Sequence, residues 1–220
     1  LPGIASRKTV HHNHCAEFIA HENARCGVLE GNPIHTDMIY AAKKAGLAYI
    51  VNVVINSKKE IIASFAGDVE LAHLEGCKYL EQIARSTPAY ADIVISTNNG
   101  YPLDQNIYQA VKGMTAAEAT ANEGAIIIMV AKCADGHGGE SFLKTFDNTK
   151  SIEDIYNGIL SVKPEDTVVD QWQSQVFARI LKKHEVILVS DCDNETVTKL
   201  RMIPAKTVDE ALRMAKAKKG

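Results

Sequence analysis

The sequence predicts an α/β fold with two α/β domains, the first only partly present and the second built on a mostly parallel sheet with helices on both faces. Two observations lead to this prediction. Short apolar runs alternate with amphipathic helical segments through residues 91–220, which is typical of a parallel sheet covered on both sides. Residues 1–85 offer only two strands and two helices, too little to bury both faces of a sheet. We therefore assign residues 1–85 to an incomplete domain, 86–90 to a linker and 91–220 to a complete α/β domain.

The first domain begins with its least regular part, residues 1–32. A helix then starts at Asn32-Pro33 and ends at Gly46, because Pro suits the first helical position and Gly the position after the last. Two apolar runs, residues 48–56 and 60–66, are joined by Ser57-Lys-Lys and predict a β-hairpin. Gly67-Asp68 precedes a long helix that runs to about Arg85.

The second domain alternates strands and helices. Asp104 is the expected N-cap of a helix over 104–113, and Thr115 with Glu118 predicts a capping box that opens a separate helix. The remaining elements are a strand at 91–96, a strand at 125–132, a Gly-rich loop at 134–141, helices at 152–160 and 168–182, a strand at 185–190, a short helix near 194–200 and a last helix behind Thr207.

Composition excludes several classes of protein. Of the 220 residues, 46% are hydrophobic and 23% charged, as in a soluble globular protein. The net charge of -3 gives no footprint for nucleic acid, and no apolar run reaches the ~18 residues of a membrane-spanning helix. The five cysteines show no CxxC spacing, which favours reduced thiols in a cytoplasmic protein. The start has neither a basic region nor Met, so we expect a missing N-terminal portion.

The segment from Asn99 to Lys112 is the first candidate for a functional site. It links a predicted strand to a helix through a Gly/Pro turn, the place where α/β folds present polar groups. On that helix Tyr108, Gln109 and Lys112 share one face near the mouth of the sheet. A phenol, a carboxamide and an ammonium group together suit a small oxygen-rich anion. Alternatively, Lys112 is a solvated helix residue and Tyr108 a core tyrosine with a satisfied hydroxyl.

Two further segments contain residues that can bind metals or anions. His11, His12, His14 and His21 lie close together in the sequence, and imidazole binds nickel, zinc, copper and iron. Their spacing matches no closed zinc site, and the alternative to metal binding is that these histidines are structural or surface residues. The Gly-rich loop 134–141 lacks the spacing of a P-loop or a dinucleotide fingerprint, and no helix is expected immediately after it. Its amides could bind an anion, but a flexible loop is the preferred interpretation.

The segment Tyr101-Pro-Leu-Asp-Gln-Asn-Ile-Tyr-Gln-Ala-Val-Lys112 resembles the PxDxNxYQAxK signature of the nickel-dependent lactate racemase family. Ordered matches extend over the whole chain. They are Leu1-Pro-Gly-Ile-Ala-Ser, Val10-His-His-Asn-His14, the IVNVVIN and AGD segments of the hairpin, Gly124-Ala-Ile-Ile-Ile-Met-Val-Ala131 and Asp170-Gln-Trp-Gln173. The chain is thus similar to the C-terminal half of a family member.

The resemblance implies a nickel-pincer nucleotide cofactor, a pyridinium mononucleotide with two sulfur-containing arms that hold nickel. The family's covalent lysine anchor would lie just upstream of Leu1 and is absent here. The histidine that completes the square-planar nickel corresponds to His14, and this donor set suits Ni(II). Lys112 and Gln109 correspond to catalytic positions, and Tyr108 and Trp172 to positions that bind substrate or cofactor. Trp172 also lies on an apolar helical stripe, so core packing is its alternative role.

The implied reaction interconverts the D and L enantiomers of a small 2-hydroxy acid by reversible hydride transfer through a 2-keto acid. Family members carry the two histidine bases and a carboxylate-binding arginine earlier in the chain, so we expect the 220 residues alone to be inactive without that N-terminal portion. Two other functions stay open. One is a non-catalytic α/β fragment or small-anion-binding module. The other is a nicotinamide-dependent 2-hydroxyacid dehydrogenase, which the missing GxGxxG fingerprint disfavours.

Overall fold

The computed structural model describes residues 5–146 and 149–220, so the Leu1-Pro-Gly-Ile4 part of the resemblance lies outside the described residues. The chain separates into two compact units, one formed by residues 1–13 and 20–88 and the other by 14–19 and 89–220. The elements are α1 Arg7–Asn13, α2 Ala16–Ala20, α3 Pro33–Lys44, β1 Ile50–Ile55, β2 Ile61–Gly67, α4 Leu71–Ala84, β3 Ala91–Thr97, α5 Ile107–Glu118, β4 Ala121–Val130, α6 Glu140–Thr145, α7 Ile152–Leu160, α8 Gln171–Lys183, β5 Glu185–Val189, α9 Asn194–Lys199, β6 Ile203–Ala205 and α10 Val208–Lys219, with a 3-10 helix at Pro164–Asp166.

The first unit is built around the β1–β2 hairpin. The two strands pair antiparallel, as their alternating apolar residues predict. Helix α4 packs on one face, where the ring of Phe65 lies 5.7 Å from that of Tyr79. On α3 the side chain of Asn32 accepts hydrogen bonds from the amides of Ile34 and His35, which confirms the predicted helix start.

The hairpin leaves its other face open. Val51, Val53, Ile55 and Ile62 alternate with the residues that face α4 and are all exposed. Four β-branched side chains on one exposed face are typical of a surface that is buried in a larger domain. This agrees with the expectation that residues 1–85 belong to an incomplete domain, which stays a prediction.

The second unit contains the predicted parallel sheet. In its described residues the strand order is β3-β4-β5-β6, with every neighbouring pair parallel. The inner strand β4 is buried on both sides: Ile127 and Met129 belong to a core formed with α5 to α9, and Ile126 and Ile128 to a core formed with α10. Because the sheet has helices on both faces, the predicted fold class is confirmed.

Three predicted helix boundaries are wrong. The helices expected at 104–113 and from Thr115 are a single helix, α5, whose N-cap is Asn106 rather than Asp104. The hydroxyl of Thr115 donates to the carbonyl oxygen of Lys112 and opens no new helix. The helix expected at 168–182 begins later, at Gln171.

Candidate functional site

The turn between β3 and α5 positions the first candidate residues. The carboxamide oxygen of Asn106 accepts from the amide of Gln109 at 3.0 Å and caps the helix. Asp104 is buried, and its carboxylate accepts from the amide of Lys132, at 3.0 Å. Asp104 therefore ties the turn to the loop that follows β4, a role that its position in the sequence does not reveal.

The Gly-rich loop packs directly on the start of α5. The carbonyl oxygens of Gly136 and His137 accept from the amides of Ile107 and Tyr108, at 3.0 and 3.2 Å. These bonds satisfy amides at the start of α5, so those amides are not available to an anion. Two backbone hydrogen bonds thus join the loop to α5, and the flexible-loop interpretation stays a prediction. Helix α6 begins at Glu140, within the last two residues of the predicted loop, although no helix was expected there.

Tyr108 lies near Asp170 and Trp172. Both side chains are close enough to influence the pKa of its hydroxyl, and its ring meets Phe142 edge-on at 5.7 Å. Burial, and then the nearby carboxylate of Asp170, raise the pKa of Tyr108 to about 12. The side chain is therefore a neutral phenol at physiological pH, and it is half-buried.

The first turn of α8 connects Tyr108 to the segment that carries His14. The carboxamide of Gln173 donates to the carbonyl oxygen of Tyr108 at 2.7 Å. The ring of Trp172 lies 5.1 Å from the imidazole of His14, in an edge-to-face arrangement. The carboxamide of Gln175 donates to the carbonyl oxygen of Ala16 at 2.8 Å and so holds the segment that contains His14 against α8. Three predicted site residues, His14, Tyr108 and Trp172, thus lie together, and His14 and Trp172 are only half-buried.

Gln109 and Lys112 form a pair further along α5. The ammonium group of Lys112 donates to the side-chain oxygen of Gln109 at 2.7 Å. Lys112 is exposed and Gln109 is half-buried. Since an ammonium group has three donors, this bond leaves Lys112 able to bind an anionic oxygen as well.

A metal at His14 would need donors from outside the described side chains. Across residues 5–146 and 149–220 no group of three or more His, Cys, Asp or Glu is arranged to hold a metal ion. Burial raises the pKa of the Cys133 thiol to about 12 and also raises that of Cys192, so neither supplies a thiolate. A single half-buried imidazole fits a nickel ion whose sulfur donors come from a cofactor.

Asp170, Gln173 and Gly138 contribute to this cluster and were missed as site residues. Asp170 and Gln173 stand in a segment that carried the family resemblance, but an aspartate before a helix is normally interpreted as a cap. A Cβ atom added to Gly138 would lie 2.7 Å from the Cβ of Tyr108. That close approach depends on contacts across the fold, so the only signal in the sequence is a Gly-rich loop.

In the described part of the chain, no helix is long and apolar enough to cross a membrane. Residues 86–220 match the family model described as the lactate racemase C-terminal domain. The chain is 55% identical over 218 residues to a lactate racemase of Thermoanaerobacterium thermosaccharolyticum, covering 99% of this chain and 51% of the relative. It is 52% identical over 221 residues to a lactate racemase of Lactiplantibacillus plantarum, covering 100% of this chain and 52% of the relative.

Among solved structures, the lactate racemase apoprotein from Thermoanaerobacterium thermosaccharolyticum superposes with a TM-score of 0.94 at 54% identity. That match covers 98% of this chain and 52% of the solved chain. The chain therefore spans about half the length of the curated relatives that it matches.

Proposed function

The chain belongs to the lactate racemase family, and we propose that it forms part of an enzyme that interconverts the D and L enantiomers of lactate or another small 2-hydroxy acid. One observation carries this proposal. In a chain more than half identical to lactate racemases, the structure groups His14, Trp172 and Tyr108 around the first turn of α8. These residues come from separate parts of the sequence, and local folding alone does not require them to meet.

We propose nickel-pincer nucleotide as the cofactor, with His14 as the nickel ligand of this chain. The imidazole is half-buried against Trp172, and no second side-chain donor is needed because the pincer supplies its own sulfur atoms. When bound, the cofactor would supply a hydride acceptor for the reversible oxidation of the 2-hydroxy acid. Trp172 would then fix the orientation of the His14 ring and exclude water from one side of it.

The other site residues would act on the bound acid and on the cofactor. Lys112 would bind a carboxylate or a developing negative charge, and Gln109 would orient the Lys112 ammonium through their hydrogen bond. Tyr108 would contact the ligand as a neutral phenol because the pKa of its hydroxyl is raised to about 12. The side chains described here thus bind and orient the ligands, and the proposal assigns proton transfer to none of them.

The test uses the full-length protein produced together with the enzymes that make the cofactor. Nickel content and intact mass report cofactor binding, and chiral chromatography with a panel of 2-hydroxy acids reports racemisation. We expect His14→Ala to lose nickel and activity together, while the control His12→Ala retains both. If His14→Ala keeps a full complement of nickel, His14 is not the ligand.

The same measurements separate the alternative functions. A small-anion-binding module would bind lactate without nickel and would not interconvert its enantiomers. A dehydrogenase would consume nicotinamide cofactor and accumulate the 2-keto acid. The amides of Ile107 and Tyr108 at the start of α5 donate to loop carbonyl oxygens and so cannot donate to a phosphate, which also disfavours a dinucleotide at that helix.

A further inference from the structure

Residues 14–19 form a short strap that belongs to the second unit, although the chain on both sides of the strap belongs to the first unit. Asn13, just before the strap, is held within the first unit. Its carboxamide nitrogen donates to the carbonyl oxygen of Ile34 at 3.0 Å and to the carboxylate of Asp37 at 2.9 Å. His14 is the first residue of the strap, so the position of its backbone depends on what fixes the strap in the second unit.

Apolar packing holds the strap mainly at the end that is far from His14. The buried side chains of the strap are those of Cys15, Ala16 and Ile19, with exposed fractions of 0, 0 and 9%. Cys15 and Ala16 are small and bury little apolar surface, whereas the larger Ile19 stands five residues after His14. Apolar contact therefore contributes little to holding the backbone next to His14.

A buried hydrogen bond constrains the strap close to His14. The carboxamide nitrogen of Gln175 donates to the carbonyl oxygen of Ala16 at 2.8 Å. A carbonyl oxygen can only accept, so the nitrogen of the carboxamide, and not its oxygen, must face Ala16. Trp172, whose ring meets the His14 imidazole at 5.1 Å, lies three residues before Gln175 on α8 and so on the same face of that helix. One face of α8 therefore holds both the ring of His14 and the backbone two residues after it.

Gln175 is a costly residue for its place in the core. Its side chain is 1% exposed, and among the described residues its carboxamide oxygen has no hydrogen-bond partner. An unpaired polar oxygen destabilises the fold when it is buried, and an apolar side chain of similar length, such as that of methionine, would avoid this penalty. The bond that the carboxamide nitrogen makes to the strap accounts for a glutamine at this position.

We propose that Gln175 is a positioning residue for the nickel ligand: by fixing the carbonyl group of Ala16 on α8, it keeps the His14 imidazole in place beside Trp172. This role rests on the proposed function, in which His14 is the nickel ligand. Gln175 acts only through the strap and makes no contact with the metal. The second unit, through α8, therefore determines how firmly His14 holds nickel.

The first test follows the strap without metal, in full-length protein produced without the enzymes that make the cofactor. Gln175→Met keeps the approximate length of the side chain and removes its donor. We expect the amides of the strap to exchange with deuterium about tenfold faster in this variant, because one hydrogen bond that opposes local opening is lost. Mass spectrometry of the peptide that contains the strap measures this exchange.

Ser174→Ala is the control for this exchange measurement. Ser174 is buried on the same helix, next to Gln175, and its amide donates to the carbonyl oxygen of Asp170. Its substitution should leave the exchange of the strap as it is in the parent. An unchanged exchange rate in Gln175→Met would overturn the proposal, since it would show that this hydrogen bond does not hold the strap.

The second test separates positioning from the stability of the fold. Gln175→Met removes one hydrogen bond but also removes an unpartnered buried oxygen, so its two effects on stability oppose each other. The midpoint of urea unfolding should therefore stay close to that of the parent, while loaded full-length protein loses nickel to a chelator about tenfold faster. Gln175→Leu, with an apolar side chain of another shape, should give the same pair of results. A large fall in the unfolding midpoint of both variants would show a structural role instead and would overturn the proposal.

Comparison with His14→Ala distinguishes failure of this proposal from failure of the proposed function. If His14→Ala loses its nickel while Gln175→Met releases nickel at the rate of the parent, the positioning role alone is overturned. If both variants keep nickel as the parent does, His14 is not the ligand, and the positioning role fails with that assignment. Faster release from Gln175→Met at unchanged stability, together with loss of nickel from His14→Ala, supports both proposals.

Discussion

Gly138→Ala tests the packing of the Gly-rich loop against Tyr108. Gly138 has φ +88°, and an added Cβ would lie 2.7 Å from both the Oδ1 atom of Asn106 and the Cβ of Tyr108. The left-handed backbone costs an alanine about 1–2 kcal/mol, and displacing well-packed neighbours adds about 1–3 kcal/mol. We therefore expect the substitution to lower the free energy of unfolding by about 2–5 kcal/mol.

Gly136→Ala is the matched control. Gly136 lies in the same loop with φ +68°, but an added Cβ would meet no described atom within 4 Å beyond its chain neighbours. Its substitution should cost only the conformational part, about 1–2 kcal/mol. Urea unfolding followed by fluorescence suits the comparison, because Trp172 is the single tryptophan of the sequence and lies beside Tyr108. Equal losses for the two variants would refute the argument from contact, since they would show that the loop is free to move away.

Three further predictions concern charged groups. In the full-length protein Lys112→Ala should lower the rate of racemisation ~10²-fold or more, because the ammonium group of Lys112 binds developing negative charge. A rate within twofold of the parent would show that Lys112 is only a solvated helix residue. Glu118→Gln should lower the free energy of unfolding by about 3 kcal/mol, because it leaves the largely buried guanidinium of Arg179 without its bidentate partner. The control Glu75→Gln, in an exposed ion pair, should change the free energy of unfolding little. Urea unfolding measures both. Burial lowers the pKa of His184 below 6.5, so the folded chain binds a proton at His184 less readily than the unfolded chain does. The contribution of neutral His184 to stability is complete above pH 6.5 and is lost as the pH falls. Melting temperatures between about pH 7 and 5 should therefore fall more steeply in the parent than in His184→Gln.

Helix starts with a local signal were predictable from the sequence. Asn32 before Pro33 caps α3, and the side chains of Ser151 and Asp154 form a reciprocal capping box at α7. Thr207 accepts from the amide three residues on and caps α10. In each case the donor and the acceptor lie within four residues of each other, so the sequence contains the whole interaction.

The boundaries that failed depend on distant partners. Asp104 resembles a cap, but its carboxylate accepts from the amide of Lys132, 28 residues further along the chain. The helix predicted to end at residue 113 continues through Gly113. A Cβ at Gly113 would lie 2.9 Å from the carbonyl oxygen of Thr97. The glycine permits close packing of helix on strand. Strand β6 was missed since it has only three residues and contains Pro204, which is tolerated on an edge strand.

The candidate site could likewise be predicted only in part, because it too depends on distant partners. The sequence placed Tyr108, Gln109 and Lys112 on one helix, but it could not show that the first turn of α8 organises the cluster. The bond from Gln175 to the carbonyl oxygen of Ala16 joins residues 159 positions apart. Because the same turn also contacts Tyr108 through Gln173, a shift of α8 would displace the phenol and the proposed nickel ligand together. Gln173→Ala should therefore lower nickel retention as well as turnover in the full-length protein, although Gln173 is expected to touch neither metal nor substrate. A variant that lost turnover but kept its nickel would show that the two halves of the cluster are held independently.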